Sequence, residues 1–200
     1  MPADLSVYLA QWLRHPLGIG ALLPTNPLVG RVAMRWVPLD RPGAVVELGG
    51  GIGSVTKGLL QAGCPPERLV VIEREPDFVR ILRRRYPTLR VLLGDAADLK
   101  TLLLRAGVDR LAGIVSCLPI KWFPLALQRA VVGQGLELLD PRGCLLQLTN
   151  GRSSPLPLEP LGLAGAVVAR VWFNFLPIVL WRYTRALTQT GQPAVEPAAA

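Results

Sequence analysis

The sequence has little of what several classes of protein depend on. Its 200 residues include only three cysteines, too few for a disulfide-stapled protein and without metal-ligand spacing. Its glycines follow no strict period, so a collagen-like chain is excluded, and its 50% hydrophobic content excludes intrinsic disorder. What remains is one compact globular domain, because two domains would be cramped in this length. The few cysteines also favour a reducing cytoplasm.

The chain also lacks a hydrophobic run long enough to cross a bilayer, which takes about 20 apolar residues. Its longest apolar tracts, 16–30 and 153–169, are interrupted by prolines or by Glu159. The N-terminus lacks the basic-then-apolar layout of a signal peptide. We therefore expect a cytoplasmic protein without a transmembrane helix.

Acidic residues are the scarcer charged class, with 14 Asp and Glu against 22 Lys and Arg and a formal net charge of +8. A basic balance draws a protein to polyanions, either nucleic acid or an anionic membrane surface. Lysine is scarce too. Of the 22 basic residues, only Lys57, Lys100 and Lys121 are lysines, and the rest are arginines. Arginine suits bidentate phosphate contacts, although a GC-rich genome gives the same bias. The charge alone therefore does not decide between nucleic acid and an anionic membrane as the partner.

From Ala44 onward, short apolar runs alternate with helical stretches, a pattern typical of strand-helix units. We therefore predict a doubly wound, Rossmann-like α/β fold. The predicted strands are Ala44–Leu48, Leu69–Glu73, Arg90–Leu93, Ala112–Cys117 and Cys144–Thr149. The predicted helices are Leu28–Val37, Ser54–Ala62, Pro76–Tyr86, Asp98–Ala106 and Pro124–Leu139. Two last runs, Ala166–Phe173 and Ile178–Leu187, are predicted to close the sheet as an antiparallel pair.

A glycine-rich loop leaves the first predicted strand and enters a helix. Glu47 is followed by Gly49, Gly51 and Gly53, so backbone amides at a helix N-terminus face the crevice. The third glycine of the dinucleotide pattern GxGxxG falls on Ser54, which argues against a pyrophosphate ligand. The loop suits a cationic cofactor that carries no phosphate, and S-adenosylmethionine is the obvious one.

Acidic residues follow at the ends of the next two strands. Glu73 lies 20 residues after Gly53, where a carboxylate can accept hydrogen bonds from both ribose hydroxyls. Asp95 ends the third strand, where a carboxylate can accept from the adenine amino group. The glycine loop, Glu73 and Asp95 follow one another in the order that a cofactor site requires. This order favours a cofactor site over the alternative that the glycines only form a tight turn and the acids are only exposed strand ends.

These motifs resemble the class I S-adenosylmethionine-dependent methyltransferases, over residues 44–187. The resemblance implies a seven-stranded sheet whose last strand is antiparallel. It also implies roles for the loop and the strand-end residues: Glu47, Gly49, Gly51 and Gly53 wrap the methionine part, Glu73 holds the ribose, and Asp95 and Ala96 meet the adenine.

The fourth strand leads into Ser116-Cys117-Leu118-Pro119-Ile120, where such enzymes place the methyl acceptor. In the ribosomal RNA adenine dimethylases this motif reads Asn-Leu-Pro-Tyr, and the Asn and Tyr hold the flipped adenine. Cys117 and Ile120 stand at those two positions here. Methylation of a flipped adenine therefore lacks its two main supports.

A closer resemblance is to the bacterial phospholipid N-methyltransferases and their ornithine-lipid relatives. Their acceptor motif, Ser-Gly-Leu-Pro, is matched by the predicted catalytic residues Ser116, Leu118 and Pro119, with Cys117 in place of Gly. Where they commonly read Thr-Tyr-Gly after the fifth strand, this chain has Asn150, so a substrate-side tyrosine is missing. Further matches are Tyr8, Trp12, Pro16, Gly20, Ala21, Pro24 and Thr25 near the N-terminus, and Asn174, Pro177, Trp181, Tyr183 and Arg185 near the C-terminus.

The resemblance divides the chain into a membrane-binding or cap region (1–39), a methyltransferase domain (40–187) and a Pro/Ala-rich tail (188–200), predicted to be disordered. In the first region, Leu5–Leu13 has the apolar spacing of an amphipathic helix, with Arg14 beyond it. Such a helix can lie on anionic lipid or pack on the core, and its sequence looks the same either way.

Three residues are predicted to bind the substrate. Tyr8 and Trp122 flank the expected acceptor site and can contact a methylated ammonium through cation–π interactions, and Arg152 can contact a headgroup phosphate. His15, the only histidine, is a weaker candidate for accepting a proton. No metal is expected.

The leading hypothesis is thus a methyltransferase on the inner face of the cell membrane, whose partners are an anionic membrane surface and an aminolipid such as phosphatidylethanolamine. The alternative is an RNA adenine or small-molecule N-methyltransferase on the same fold, with nucleic acid the less expected partner. A non-catalytic module with the same fold is a third possibility, against which the intact cofactor motif argues.

Overall fold

The computed structural model describes residues 25–173 and 176–186. The predictions for Tyr8, His15, the Leu5–Leu13 helix and the tail 188–200 lie outside the described residues. Within the described part of the chain, no helix is long and apolar enough to cross a membrane.

Seven strands form one sheet in the order β3-β2-β1-β4-β5-β7-β6. The first five are parallel, β7 pairs antiparallel with β5, and β6 pairs antiparallel with β7. The predicted closing pair and the predicted seven-stranded fold are therefore confirmed. The strands are β1 (Ala44–Leu48), β2 (Leu69–Glu73), β3 (Arg90–Leu93), β4 (Leu111–Ser116), β5 (Leu139–Thr149), β6 (Leu163–Val171) and β7 (Ile178–Arg185).

Within residues 25–173 and 176–186, five α-helices connect or precede these strands. They are α1 (Pro27–Met34), α2 (Ser54–Gln61), α3 (Pro76–Arg85), α4 (Leu99–Arg105) and α5 (Leu125–Leu138). Short 3₁₀ turns lie at Pro66–Arg68, Ala96–Asp98, Ile120–Trp122 and Glu159–Leu161. Each predicted helix is present, with ends that differ from the prediction by at most three residues.

Alternation along the central strands explains why helices cover both faces of the sheet. Val45 of β1 packs in the cluster that contains α1, α2 and α3 residues, whereas Val46 and Leu48 pack in the cluster that contains α4 and α5 residues. Because successive strand side chains point to opposite faces, an apolar run without alternating polarity buries both. The fold is doubly wound for this reason.

The largest boundary difference is in β5, which begins at Leu139 rather than at Cys144. The segment 139–143 contains Asp140, Pro141 and Gly143 and has the composition of a turn. It nevertheless pairs with β4 through Leu111 and Leu139, across a register shift. Pairing with a neighbour, which composition cannot reveal, overrides the local turn preference.

Candidate active site

A cavity of about 440 Å³ lies at the carboxyl ends of the parallel strands, where clefts of this fold class hold their ligands. Residues after all five parallel strands line it, so the motifs that are far apart in sequence meet there. Of the predicted cofactor and acceptor residues, those that line the cavity are Glu47, Gly49, Gly51, Glu73, Asp95, Ala96, Leu118, Pro119 and Trp122.

The glycine loop follows β1 in a conformation that side chains disfavour. Gly49, Gly51 and Gly53 have positive φ angles of +79°, +52° and +86°. Gly53 caps α2, so the first amides of that helix face the cavity side of the loop. A Cβ added at Gly51 would meet nothing within 4 Å, which leaves open space beside the loop for a bound molecule.

Gly50 has a different role from its neighbours. A Cβ at this position would lie 2.4 Å from Val71 Cγ1 and 3.0 Å from Leu82 Cδ1. The loop is therefore packed directly on β2 and α3 without space for a methyl group. This contact fixes the height of the loop above the sheet.

Glu73 ends β2 and is bonded to the backbone around it. Its Oε2 accepts from the Gly51 N–H at 2.8 Å, and its Oε1 accepts from the Arg74 and Glu75 N–H groups at 2.7 and 2.9 Å. Burial raises the pKa of this carboxyl, while the three N–H groups oppose the shift. Glu73 thus joins the glycine loop to the next strand and also lines the cavity.

Glu47 is fully buried beneath the loop. Its Oε2 accepts a 2.6 Å hydrogen bond from the Thr56 hydroxyl, and its Oε1 has no partner among the described residues. Burial raises the pKa of Glu47 to about 8, the Thr56 hydroxyl lowers it, and the nearby Glu73 raises it further. A cationic group of the ligand beside the unpaired Oε1 would favour the ionised form and lower this pKa again.

Asp95 and Ala96 follow β3. Asp95 is exposed, and its Oδ1 accepts from the Ala97 N–H at 2.8 Å, which caps the turn Ala96–Asp98. Ala96 is buried and small. Both residues line the cavity, and their contact with adenine stays a prediction.

The acceptor loop follows β4. The Cys117 N–H bonds to Leu48 O at 2.9 Å, which continues the β4–β1 pairing past the end of the strand. Leu118 lies against the glycine loop, since a Cβ at Gly49 would be 3.1 Å from Leu118 Cδ2. Burial raises the pKa of the Cys117 thiol well above its usual range, so it is not a thiolate nucleophile.

Three predicted residues, Ser116, Arg152 and Gly53, are not among the described residues that line the cavity. Ser116 is buried in β4, and its hydroxyl has no partner in the described part of the chain. Arg152 is exposed and directly follows Gly151, which does line the cavity. Gly53 acts from behind the loop, against Tyr86 and Leu82.

Exposed apolar side chains lie at the cavity and in the β6–β7 connection beside it. Trp122 is 72% exposed and lines the cavity, with Lys121 Nζ 5.8 Å from the centre of its ring. Leu176, also exposed, lines the cavity near the β6–β7 connection, where Trp172 and Phe173 are 68% and 81% exposed. We call Trp122, Trp172, Phe173 and Leu176 the apolar rim.

Sequence reasoning missed Gln147, which lines the cavity from β5. It is the only polar side chain in the run Cys144–Leu148, and it is buried. A buried amide in an apolar strand is the signal that would have drawn attention to it. Within residues 25–173 and 176–186, no group of three metal-ligating side chains comes together.

The residues present fit S-adenosylmethionine. The open space beside Gly51 leaves room for its methionine part, the unpaired Glu47 Oε1 suits its charge, and Glu73 lies where the ribose is expected. A loop with these features would hold the cofactor without phosphate contacts.

Comparison with known proteins gives a relative that spans about three quarters of the chain. The chain is 35% identical over 150 residues to the ornithine lipid N-methyltransferase of Singulisphaera acidiphila, covering 74% of this chain and 78% of that protein. No protein-family profile matches the chain.

Solved structures share the fold. A TehB-like S-adenosylmethionine-dependent methyltransferase from Corynebacterium glutamicum superposes with a TM-score of 0.57 at 16% identity, over 92% of this chain and 100% of that chain. An O-methyltransferase from Bacillus cereus in complex with S-adenosylhomocysteine gives 0.59 at 13% identity, over 91% of each chain. The methyltransferase fold is confirmed, and with it the prediction of S-adenosylmethionine, the cofactor on which that fold class depends.

Proposed function

The chain belongs to the methyltransferase family that contains the ornithine lipid N-methyltransferase of Singulisphaera acidiphila, and from that premise we propose that it methylates the amine of a membrane aminolipid such as phosphatidylethanolamine. The observation that carries the proposal beyond the family is the apolar rim at the mouth of the cavity. A lipid headgroup attached to acyl chains can enter between such side chains without leaving the bilayer surface.

The acceptor side of the cavity supports a lipid over a nucleobase. Cys117 and Ile120 line it at the positions where an adenine methyltransferase has an amide and an aromatic ring. Ile120 carries no aromatic ring on which a base could stack. A primary amine has no ring and needs no stacking partner.

The chemistry divides between the cofactor and the chain. When bound, S-adenosylmethionine supplies a methyl group activated by a positively charged sulfur. The glycine loop, Glu73 and Asp95 would hold it, and the acceptor loop would orient the amine. Apolar lining from Leu118, Pro119 and Ile120 disfavours the ammonium form and so favours the free amine, which carries the reactive lone pair.

The apolar rim also supports association with a membrane surface. Exposed tryptophan and phenylalanine insert into the headgroup region, and basic residues add attraction to anionic lipid of about 1 kcal/mol each. Lys121 and Arg170 are close to rim residues in the sequence, and the whole chain carries +8. Replacing both Trp172 and Phe173 by Ala is expected to weaken sedimentation with anionic vesicles several-fold. Wild-type sedimentation by this double variant would contradict the rim's part in membrane binding.

The function is tested by incubating the pure protein with methyl-labelled S-adenosylmethionine and, in separate reactions, phosphatidylethanolamine vesicles, ornithine-lipid vesicles and total RNA. We expect label in aminolipid. Label in RNA and none in lipid would overturn the proposal. The Glu73→Ala variant serves as the background control, because its cofactor site is damaged while its acceptor loop and rim are unchanged.

A further inference from the structure

Gln147 occupies the centre of a row of polar side chains on the acceptor side of the sheet. On β5 it is in register with Ser116 of β4 and with Trp181 of β7, so the three side chains share one face. It is 1% exposed and lines the cavity. The strand around it is apolar, which makes a buried amide here costly unless its groups are bonded.

The hydrogen bonds of Gln147 fix which way its amide points. Nε2 donates to Leu118 O at 2.9 Å and to Leu148 O at 2.8 Å. Both partners are carbonyls and can only accept, so the nitrogen must face them and the oxygen must face away. The first of these bonds holds the acceptor loop by its backbone.

The oxygen of the same amide is left without a partner among the described residues. Leaving a buried acceptor unpaired costs about 1–3 kcal/mol, so the site calls for a donor. The neighbouring Ser116 Oγ and Trp181 Nε1 also have no partner in the described part of the chain. The polar groups beside the acceptor loop therefore remain incomplete, although the loop itself is bonded.

We propose that Gln147 Oε1 accepts a hydrogen bond from an N–H group of the amine being methylated, and that it thereby supplies the acceptor that Cys117 cannot provide. This inference rests on the proposed function. An amine that donates one N–H to Gln147 has its direction fixed, and its lone pair remains free for the methyl group. Gln147 is then a substrate-binding residue as well as a support for the loop.

The number of N–H groups on the amine gives this assignment a signature. A primary amine has two, a monomethylated amine has one, and a dimethylated amine has none. The bond to Gln147 is therefore available for the first and second methyl additions and absent from the third. Loop support, by contrast, is needed equally for all three.

The test compares wild type and Gln147→Leu on vesicles of phosphatidylethanolamine and of its N-monomethyl and N,N-dimethyl forms. We expect kcat/KM to fall about tenfold more on the first two lipids than on the dimethyl lipid, the effect of one hydrogen bond of about 1.4 kcal/mol. An equal fall on all three lipids would overturn the assignment and leave Gln147 as loop support.

Gln128→Leu is a matched control. Gln128 is also buried, its Nε2 donates to Phe123 O at 2.9 Å, and its Oε1 is also unpaired, but it is not among the described residues that line the cavity. We expect this variant to affect the three lipids equally. A preference like that of Gln147→Leu would overturn the assignment, because position in the cavity would then not matter.

Two further measurements distinguish loss of the hydrogen-bond acceptor from a general loss of structure. Calorimetry with S-adenosylhomocysteine is expected to give wild-type affinity for Gln147→Leu, which separates acceptor loss from misfolding. Gln147→Glu retains an acceptor oxygen, and its protonated carboxyl can still donate to one of the two carbonyls. If this variant binds S-adenosylhomocysteine with wild-type affinity, it is expected to keep the preference for primary and monomethylated amines, and loss of the preference would then count against the assignment. A wild-type protein that methylates neither these lipids nor ornithine-lipid vesicles would instead overturn the proposed function, and the assignment with it.

Discussion

The two halves of the cavity differ in how fully their polar groups are bonded. Around the glycine loop, Glu73 accepts three backbone N–H groups, and the loop packs on Val71 without spare volume. Around the acceptor loop, Gln147 Oε1 and Ser116 Oγ have no partners in the described chain, and Trp122 is exposed. The cofactor half is thus preorganised, whereas the acceptor half keeps polar groups that a substrate could bond.

Glu47 is the exception in the cofactor half, because its Oε1 has no partner among the described residues. Its titration is expected to have the largest effect, on the free energy of unfolding. Without a bound cation, burial raises the pKa of Glu47 to about 8, so the folded protein keeps this proton up to that pH, whereas the unfolded chain releases it near the ordinary value of 4.5. The folded state therefore binds more protons between these values, and stability falls as the pH rises. Glu47→Gln is expected to remove about 1.4 kcal/mol per pH unit of that decline between about 4.5 and 8.

Denaturant unfolding of wild type and Glu47→Gln at several pH values measures this difference. The slope against pH is the informative quantity, since the new amide adds a constant cost at all pH values. If unfolding free energy changes with pH in the same way for both proteins, Glu47 is ionised in the folded state, and it would not differ from the other bonded groups of the cofactor half.

Glu73→Ala tests the preorganised half directly. We expect about 100-fold weaker binding of S-adenosylhomocysteine by calorimetry, about 2.7 kcal/mol, because the ribose loses its carboxylate and the Gly51 N–H loses its acceptor. Glu67→Ala is the matched control, because this exposed acid precedes the same strand at the opposite edge of the sheet. Equal affinity for the two variants would refute the role of Glu73.

Gly50→Ala and Gly51→Ala separate the packing of the loop from its opening to the cavity. At Gly50 the new methyl meets Val71, so unfolding free energy is expected to fall by about 1–3 kcal/mol. At Gly51 the methyl enters open space at a positive φ, costing about 1–2 kcal/mol, and intrudes on the ligand. Calorimetry with S-adenosylhomocysteine is expected to show the larger loss of affinity for Gly51→Ala. A larger loss for Gly50→Ala would contradict the assignment of Gly50 to packing and of Gly51 to the ligand side.

Arg152→Ala gives the smallest expected effect, in the acceptor half. Because Arg152 is exposed, its contact with a headgroup phosphate is screened by water, and we expect the apparent KM for lipid to rise about threefold with cofactor affinity unchanged. Arg105→Ala, an exposed arginine at the far end of α4, is the control. An unchanged lipid dependence for Arg152→Ala would remove Arg152 from the site.

Much of the cofactor half was predictable, because its signals are local. A glycine at an alternate position marks a backbone that side chains cannot adopt, and an acid at the end of a strand marks the carboxyl edge of a parallel sheet. Glu47, Gly51, Glu73 and Asp95 were each assigned from such signals, and all four line one cavity. The strand β5 was misjudged at its start, because its first residues have turn composition and pair only through a neighbour.

The sequence by itself determined the order of strands and helices, the glycine loop and the acids beside it, because each depends on residues close together in the chain. Only the tertiary structure decided that Gln147 joins the acceptor loop, since Leu118 lies 29 positions away and the two meet through strand pairing. It alone decided which polar atoms stay unpaired, because a missing partner is a property of the packed surroundings. The apolar rim depends in the same way on which tryptophans packing leaves exposed.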